Sequence, residues 1–557
     1  MLYSKKTLLI SSLAVNSFPV LANTVPDAGQ LLQQQTVQPY FPQADVNIEV
    51  SQQLQTGSID SQQQVEIEKI VIRGNESIAT EELHKIVKDA EGQIYSLADL
   101  QKLTKALNAY YQQKGYPYSR AYLPAQNLSQ GQVTIGILEA KYDRIQINNQ
   151  TNTSDELIEQ ILSPLQSGDI IESAALQQQL MILSRLNGVK IQNVISAGRY
   201  PGTSDLTIHI QEDQKITGYI GLDNYGNEYT REIRGNTGLA VNNLLGFGDR
   251  LNVNAMTSGH LNYGRLGYEA TVNGLGTRLG ASYSILDYEL DKEYKALDAI
   301  GDAQQASFWL SHPVLFSRNA EVMLGVQYDF KRLEDDITLV DSYRHRDIHV
   351  GQIRLDVLQK DKFAGGGLTQ FGVASDFGHV TFKNQAALAY DQATAKTEGD
   401  FVAVSVNVSR LQNLGTSGTQ LYTALQAQYS PDNLDSAQQF SIGGTNGIAG
   451  YQHSALSGST GYYALAELKR NLYTSGYNQL SGKVFVDTAT VKRQASTWRG
   501  FSGDNQESIH SAGFGLNLST ASKWTAALQV GFPFSDKPSS MEERNDVESW
   551  FSITKQF

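Results

Sequence analysis

Across residues 214–557, apolar side chains recur at every second position, in short segments separated by Gly, Asn and Asp turns. In 401–409, Val402, Val404, Val406 and Val408 fall on one face and Ala403, Ser405, Asn407 and Ser409 on the other. Residues 523–532 set Trp524, Ala526, Leu528, Val530 and Phe532 against Lys523, Thr525 and Gln529. Residues 351–357 set Ile353, Leu355 and Val357 against Gln352, Arg354 and Asp356. A period of two is that of a β-strand, whose side chains alternate between faces. A closed wall with lipid outside and water inside requires this pattern, with charge on the non-apolar side. The chain has no apolar run of ~18 residues, which excludes ordinary membrane-spanning helices but not such a barrel.

A soluble sandwich or propeller also alternates, and the terminal strand argues against it. Phe551, Ile553 and the terminal Phe557 share a face, with Trp550 beside them, resembling the assembly signal of outer-membrane barrels. At ~21 residues per strand and connection, 214–557 makes about 16 antiparallel strands. The resulting bore is aqueous and admits an α-helix of ~10–12 Å diameter.

Upstream, Lys5 and Lys6 precede an apolar stretch and Val20-Leu21-Ala22, the order of a signal peptide over 1–22. With no cysteine in 557 residues, disulfides, thiolate metal sites and cysteine nucleophiles are excluded, and export suits a bacterial envelope. A net charge of -13 argues against a nucleic-acid-coating protein. Within 23–36, Ala28, Leu31 and Leu32 belong to a short helix, and 37–64 is too polar to fold alone. That linker averages ~30 Å end to end and reaches ~95 Å extended, so it can tether the helix across a membrane.

Residues 65–140 and 141–213 repeat one order, strand–helix–helix–strand–strand. In the first, Ser96 with Asp99 predicts a capping box. Leu97, Leu100, Leu103, Leu107 and Tyr110 then share a helical face. In the second, Thr153 with Glu156 predicts another helix start.

Gly115-Tyr116-Pro117-Tyr118-Ser119-Arg120 and Pro124-Ala125-Gln126-Asn127-Leu128, followed by Gly131-Gln132-Val133, resemble the first POTRA domain of two-partner secretion transporters. Those outer-membrane proteins export hemolysins, filamentous haemagglutinins and contact-dependent inhibition toxins. Residues 242–251 are similar to the family's early hairpin. Gly443 and Gly444, followed by Gly450 and Tyr451, are similar to its loop folded into the lumen. Phe485-Val486-Asp487 is similar to its barrel-wall motif. The resemblance implies a plug helix, two small α/β POTRA domains and a transmembrane β-barrel, in that order. One departure stands out. The family's loop carries Arg immediately before Gly-Tyr, expected to pair with the wall aspartate; here that position is Ala449, and Lys483, on the same face as Asp487, is the candidate substitute.

No nucleotide-binding, metalloprotease or serine-hydrolase motif occurs, so no cofactor, metal or catalytic residue is expected. The expected activity is recognition of a large unfolded exoprotein by the POTRA domains and its passage through the barrel. Open POTRA strand edges would accept extended peptide. Gly115, Tyr116, Arg120, Pro124 and Gln126 are the candidate recognition residues, and their plainer role is a turn packing the sheet. The helix and the 443–451 loop are the expected plugs. Periplasmic chaperones, the barrel-assembly machinery and outer-membrane lipid are the expected further partners, and the barrel is expected to be monomeric. The alternatives are a barrel-assembly factor, which usually carries more POTRA repeats, a passive porin, and an adhesin using long loops at 287–305 and 331–346.

Overall fold

The computed structural model describes residues 26–35, 48–50, 64–127, 131–415, 418–445, 447–539, 541 and 544–557. The signal-peptide expectation and most of the linker lie outside them.

Sixteen antiparallel strands close into a barrel, from Ile216–Asp223 to Glu548–Gln556. The alternation sets its sidedness. Across three adjacent strands, Ile353 pairs with Ser375 and Ser375 with Val404, and Val402, Val404, Val406 and Val408 all point outward. Arg346, Ile348 and Val350 point into the bore, where Ile348 and Val350 join a buried cluster. The first and last strands meet over five pairs, Tyr219↔Gln556 to Asp223↔Ser552, against eight between the first and second strands. The chain end helps to close this seam. The Phe557 N–H donates to the Gly218 carbonyl at 3.0 Å, and a Cβ on Gly218 would stand 2.5 Å from the Phe557 ring. Phe551 and Ile553 lie on the outer face with Leu528 and Ala526.

The long loops expected at 287–305 and 331–346 are instead mostly strand: Ala299–Phe316, Ala320–Ile337 and Ser342–Asp361. The last has 20 residues, which at ~3.4 Å per residue outrun a ~25 Å apolar belt even when tilted. Beyond the belt the outer face meets water, while Leu333 on the inner face packs in the cluster that holds the helix. Polar residues such as Arg332, Glu334 and Asp336 then replace the alternation that marks a strand in sequence.

The first POTRA domain places Gln132–Leu138 between Lys69–Arg73 and Arg120–Tyr122, with helices Thr80–Val87 and Leu97–Gln113 behind. Ser96 and Asp99 form the expected capping box. The buried helical face is Leu100, Thr104, Leu107 and Tyr111, so Tyr110 sits at its margin. The second domain repeats the plan with Lys141–Asn149, Asp155–Leu162, Ser173–Ser184, Val189–Ala197 and Thr203–Glu212. Its first helix is capped by Ser154, one residue after the expected Thr153. Residues Ile48–Val50 add a parallel strand to its sheet against Asn193, Val194 and Ile195.

The hairpin at 242–251 fastens this second domain to the barrel. The Asp249 carboxylate gathers the N–H groups of Leu244, Leu245 and Phe247. The loop so shaped accepts from Ser154 N–H at the Gly246 carbonyl, 2.8 Å, and from Asn187 Nδ2 at the Gly248 carbonyl, 2.9 Å. Arg185 completes the joint by pairing with Glu321 of the barrel and stacking on Phe316.

Candidate functional site: the plugged bore and its periplasmic approach

The helix Ala28–Gln34 lies inside the barrel. Ala28, Leu31 and Leu32 are buried against the inward-facing Met256, Leu286, Leu333 and Val350. Gly29 touches the segment at Ser436 and Ala437; a Cβ there would fall 2.7 Å from the Ala437 nitrogen. Asp27 caps the helix, accepting from Gln30 N–H at 3.0 Å. Its other oxygen meets Arg344 at 3.1 Å, Arg346 at 3.4 Å and the Ser436 hydroxyl at 2.6 Å. The Ala28 N–H donates to Asp335 at 2.7 Å. Arg346, fully buried, also pairs with Asp335 at 2.7 Å and Asp435 at 2.6 Å. Three carboxylates and two guanidiniums therefore lock the helix N-terminus, where its macrodipole favours negative charge. Only the short helix itself was read from the sequence, because the partners of Asp27 lie more than 300 residues away.

The loop at 443–451 is held differently. Its base is a strand pair, Phe440–Ile442 with Leu456–Gly458. At its tip the Ala449 N–H donates to Asp487 at 3.1 Å and the Gly450 N–H to the Ser511 hydroxyl at 3.0 Å. Ser511 Oγ donates to the same carboxylate. The Trp550 indole N–H, from the last strand, donates to the Ala449 carbonyl at 2.8 Å. Tyr451 bonds Ser535 at 2.6 Å. The approach is close: a Cβ on Gly450 would lie 2.6 Å from that of Ser511, and one on Gly531 would lie 2.5 Å from the Ala449 carbonyl carbon. Gly443 and Gly444 both have positive φ, and a Cβ on either would overlap Gln452 or His453.

The expectation for Lys483 is corrected. Its ammonium pairs with Glu467 at 2.9 Å, and Lys469 pairs with that same carboxylate. Asp487 is served by a backbone amide and a serine instead. Lys483 and Lys469 are direct cross-strand partners flanking Glu467, a register invisible in sequence. Phe485 faces the bore, with Lys483 over its ring.

In the first POTRA domain, Gly115 takes φ +97° and its carbonyl accepts the Ser173 N–H at 2.8 Å, joining the two domains. Tyr116 packs edge-on against Tyr111. Arg120 donates to the carbonyls of Pro117 and Ser119. Half-buried Pro124 leads to Gln126, whose amide pairs with both backbone groups of Thr134, at 2.7 and 2.6 Å. Strand edges expected to be open are thus partly filled. Asn108 bonds both backbone groups of Ala121, and Ile48–Val50 occupies one edge of the second domain. Unpaired edge amides need partners, and this chain supplies some of its own. Glu139, buried between the helices and sheet, would be raised by desolvation, but Ser77, Tyr111 and the Glu76 N–H bond its ionised form and hold its carboxyl below the usual range.

The model of the haemolysin secretion/activation protein ShlB/FhaC/HecB family matches residues 202–518, more than half of the chain. The chain belongs to that family. A ShlB-type POTRA domain model matches 65–140 as well. The heme/hemopexin transporter protein HuxB of Haemophilus influenzae is 26% identical over 559 aligned positions, covering 98% of this chain and 97% of that protein. The outer membrane transporter CdiB of Escherichia coli is 26% identical, covering 74% of this chain and 70% of its own. Among solved structures, CdiB from Escherichia coli superposes with a TM-score of 0.70 at 20% identity, covering 91% of this chain and 93% of that one. BamA from Haemophilus ducreyi gives 0.54 at 16%, a likeness of fold alone. The protein is an outer-membrane transporter of this family, with its POTRA domains on the periplasmic side.

Proposed function

We propose that this family member takes an unfolded exoprotein from the periplasm through its POTRA domains and passes it out through the barrel. The exoprotein would be a hemolysin, adhesin or contact-dependent toxin. The observation that carries this is the tethered helix latched inside a sixteen-stranded bore. A passive porin needs neither that helix nor two POTRA domains. In this reading Ala28, Leu31 and Leu32 form the apolar face of a removable stopper, while Ala449 and Gly450 anchor to Asp487 and Ser511 and Tyr451 to Ser535. Gly115, Tyr116, Arg120, Pro124 and Gln126 shape the first domain for recognition. Exported chain would fold outside the cell, and that folding supplies the outward bias, since the periplasm offers no ATP. Periplasmic chaperones would deliver the substrate. The barrel-assembly machinery would insert the transporter through its Phe551 and Phe557 signal, outer-membrane lipid would cover the apolar outer face, and no catalytic step is invoked. Co-expression with a candidate large exoprotein tests the reading. Its appearance outside the cell should require this chain, and equal release without the chain would contradict export.

A further inference from the structure

The first POTRA sheet packs its helices on one side only. Ile70, Ile72, Val133, Ile135 and Ile137 are buried beneath them, leaving Val71, Tyr122, Thr134 and Leu138 on the opposite face. Arg73, Gly136 and Tyr122 form one row across the three strands, and Leu138 and Arg120 the next. Gly136 carries no side chain, and the Tyr122 ring fills that space: a Cβ there would stand 2.6 Å from it. The ring therefore lies flat over the sheet, 48% exposed. Leu138 continues the strip to Gly202 of the second domain, where a Cβ would meet it at 2.7 Å. Beside Gly202, Tyr200 is 65% exposed, with the Arg199 guanidinium over its ring.

Charge on this face is one-sided. Lys69, Arg73 and Arg120 are exposed and make no ion pair among the described residues. The carboxylates at its far end are already held, Asp143 by Arg199 and Asp205 by Arg144. In a chain of net charge -13, an apolar strip edged by unpaired cations is selective for segments mixing apolar and acidic side chains.

We propose that the face of Tyr122, Leu138 and Tyr200, edged by Lys69, Arg73 and Arg120, docks apolar, acidic stretches of the unfolded polypeptide in transit. This rests on the export reading and names the chemistry of its recognition step. The surface is distinct from strand-edge pairing, since side chains rather than backbone groups make it.

Full-length protein in detergent would be titrated into two short fluorescein-labelled peptides and read by anisotropy. One alternates leucine, serine and aspartate; the other has lysine for aspartate. The acidic peptide should bind the more tightly. Its affinity should fall about tenfold or more in Arg73→Glu/Arg120→Glu and in Tyr122→Ser/Leu138→Ser. A charge-matched control on the helical side, Lys85→Glu/Lys88→Glu, should leave it unchanged. Equal affinity for the two peptides, unchanged binding in the face variants, or an equal loss in the control would overturn the proposal. Secretion of the exoprotein reads the export hypothesis separately, so either can fail alone.

Discussion

Two structures lie inside this bore, and they are bonded in different ways. The helix Ala28–Gln34 is fixed at its N-terminus by full charges, Asp27 with Arg344 and Arg346, inside a cluster completed by Asp335 and Asp435. The inward loop rests on one carboxylate served by neutral donors, on the Trp550 indole, and on glycine contacts too close for any side chain. Charges that lose a buried partner recover most of their energy in water, so an ion-pair lock opens when solvent enters. Buried amides and tight packing recover less, because nothing in the wall replaces them. In the export reading proposed above, the helix is the closure that leaves and the loop the one that stays.

The largest way to break this contrast is Arg346→Ala. It leaves Asp27, Asp335 and Asp435 buried with Arg344 alone, at a cost of ~3–5 kcal/mol. Planar-bilayer recordings should show frequent large openings, and unaltered gating would remove the latch. Trp550→Phe strips the Ala449 carbonyl of its donor, a loss of ~1–3 kcal/mol. That should lower the melting temperature and leave the bore closed; openings like those of Arg346→Ala would make the loop a gate. Ser436→Ala sharpens the picture within the latch. It removes one hydroxyl from Asp27, worth ~1 kcal/mol, and should raise open probability far less than Arg346→Ala does.

The smallest effect lies outside the membrane. Arg199 bonds Asp143 through its side chain and backbone N–H, pushing that carboxyl down to about 2. A depressed folded-state value means the pair stabilises the Tyr200 loop above pH ~4 and is lost as pH falls toward 2. Arg199→Gln should move the Asp143 titration, followed by carboxyl NMR, back toward ~4. An unmoved midpoint would show that Arg199 is not the cause.

Legibility in the sequence follows the range of the interaction. The barrel could be read from Val402 to Val408 because lipid imposes period two on every strand it touches. The capping box of Ser96 and Asp99 was equally plain, being closed within four residues. Where that constraint ends, the signal ends too. The strand ends around Arg332, Glu334 and Asp336 looked like loop because the outer face there meets water and carries charge where lipid would require apolar side chains. The Asp27 lock was hidden because Arg344 and Arg346 come from the far side of the chain. The partner of Lys483 was misassigned because a shared face does not fix register: Glu467 lies on the adjacent strand, between the two lysines in space. The addition of Ile48–Val50 to a POTRA edge was not read either, since an alternation as short as Ile48-Glu49-Val50 does not stand out within a polar linker.

Single-channel recording of protein lacking residues 26–35, set beside Trp550→Phe, addresses the division of labour most directly. A persistently open, high-conductance bore in the deletion and a closed one in the indole variant are expected. A deletion that stays closed would show that the loop alone seals the barrel and that the charged latch holds nothing shut.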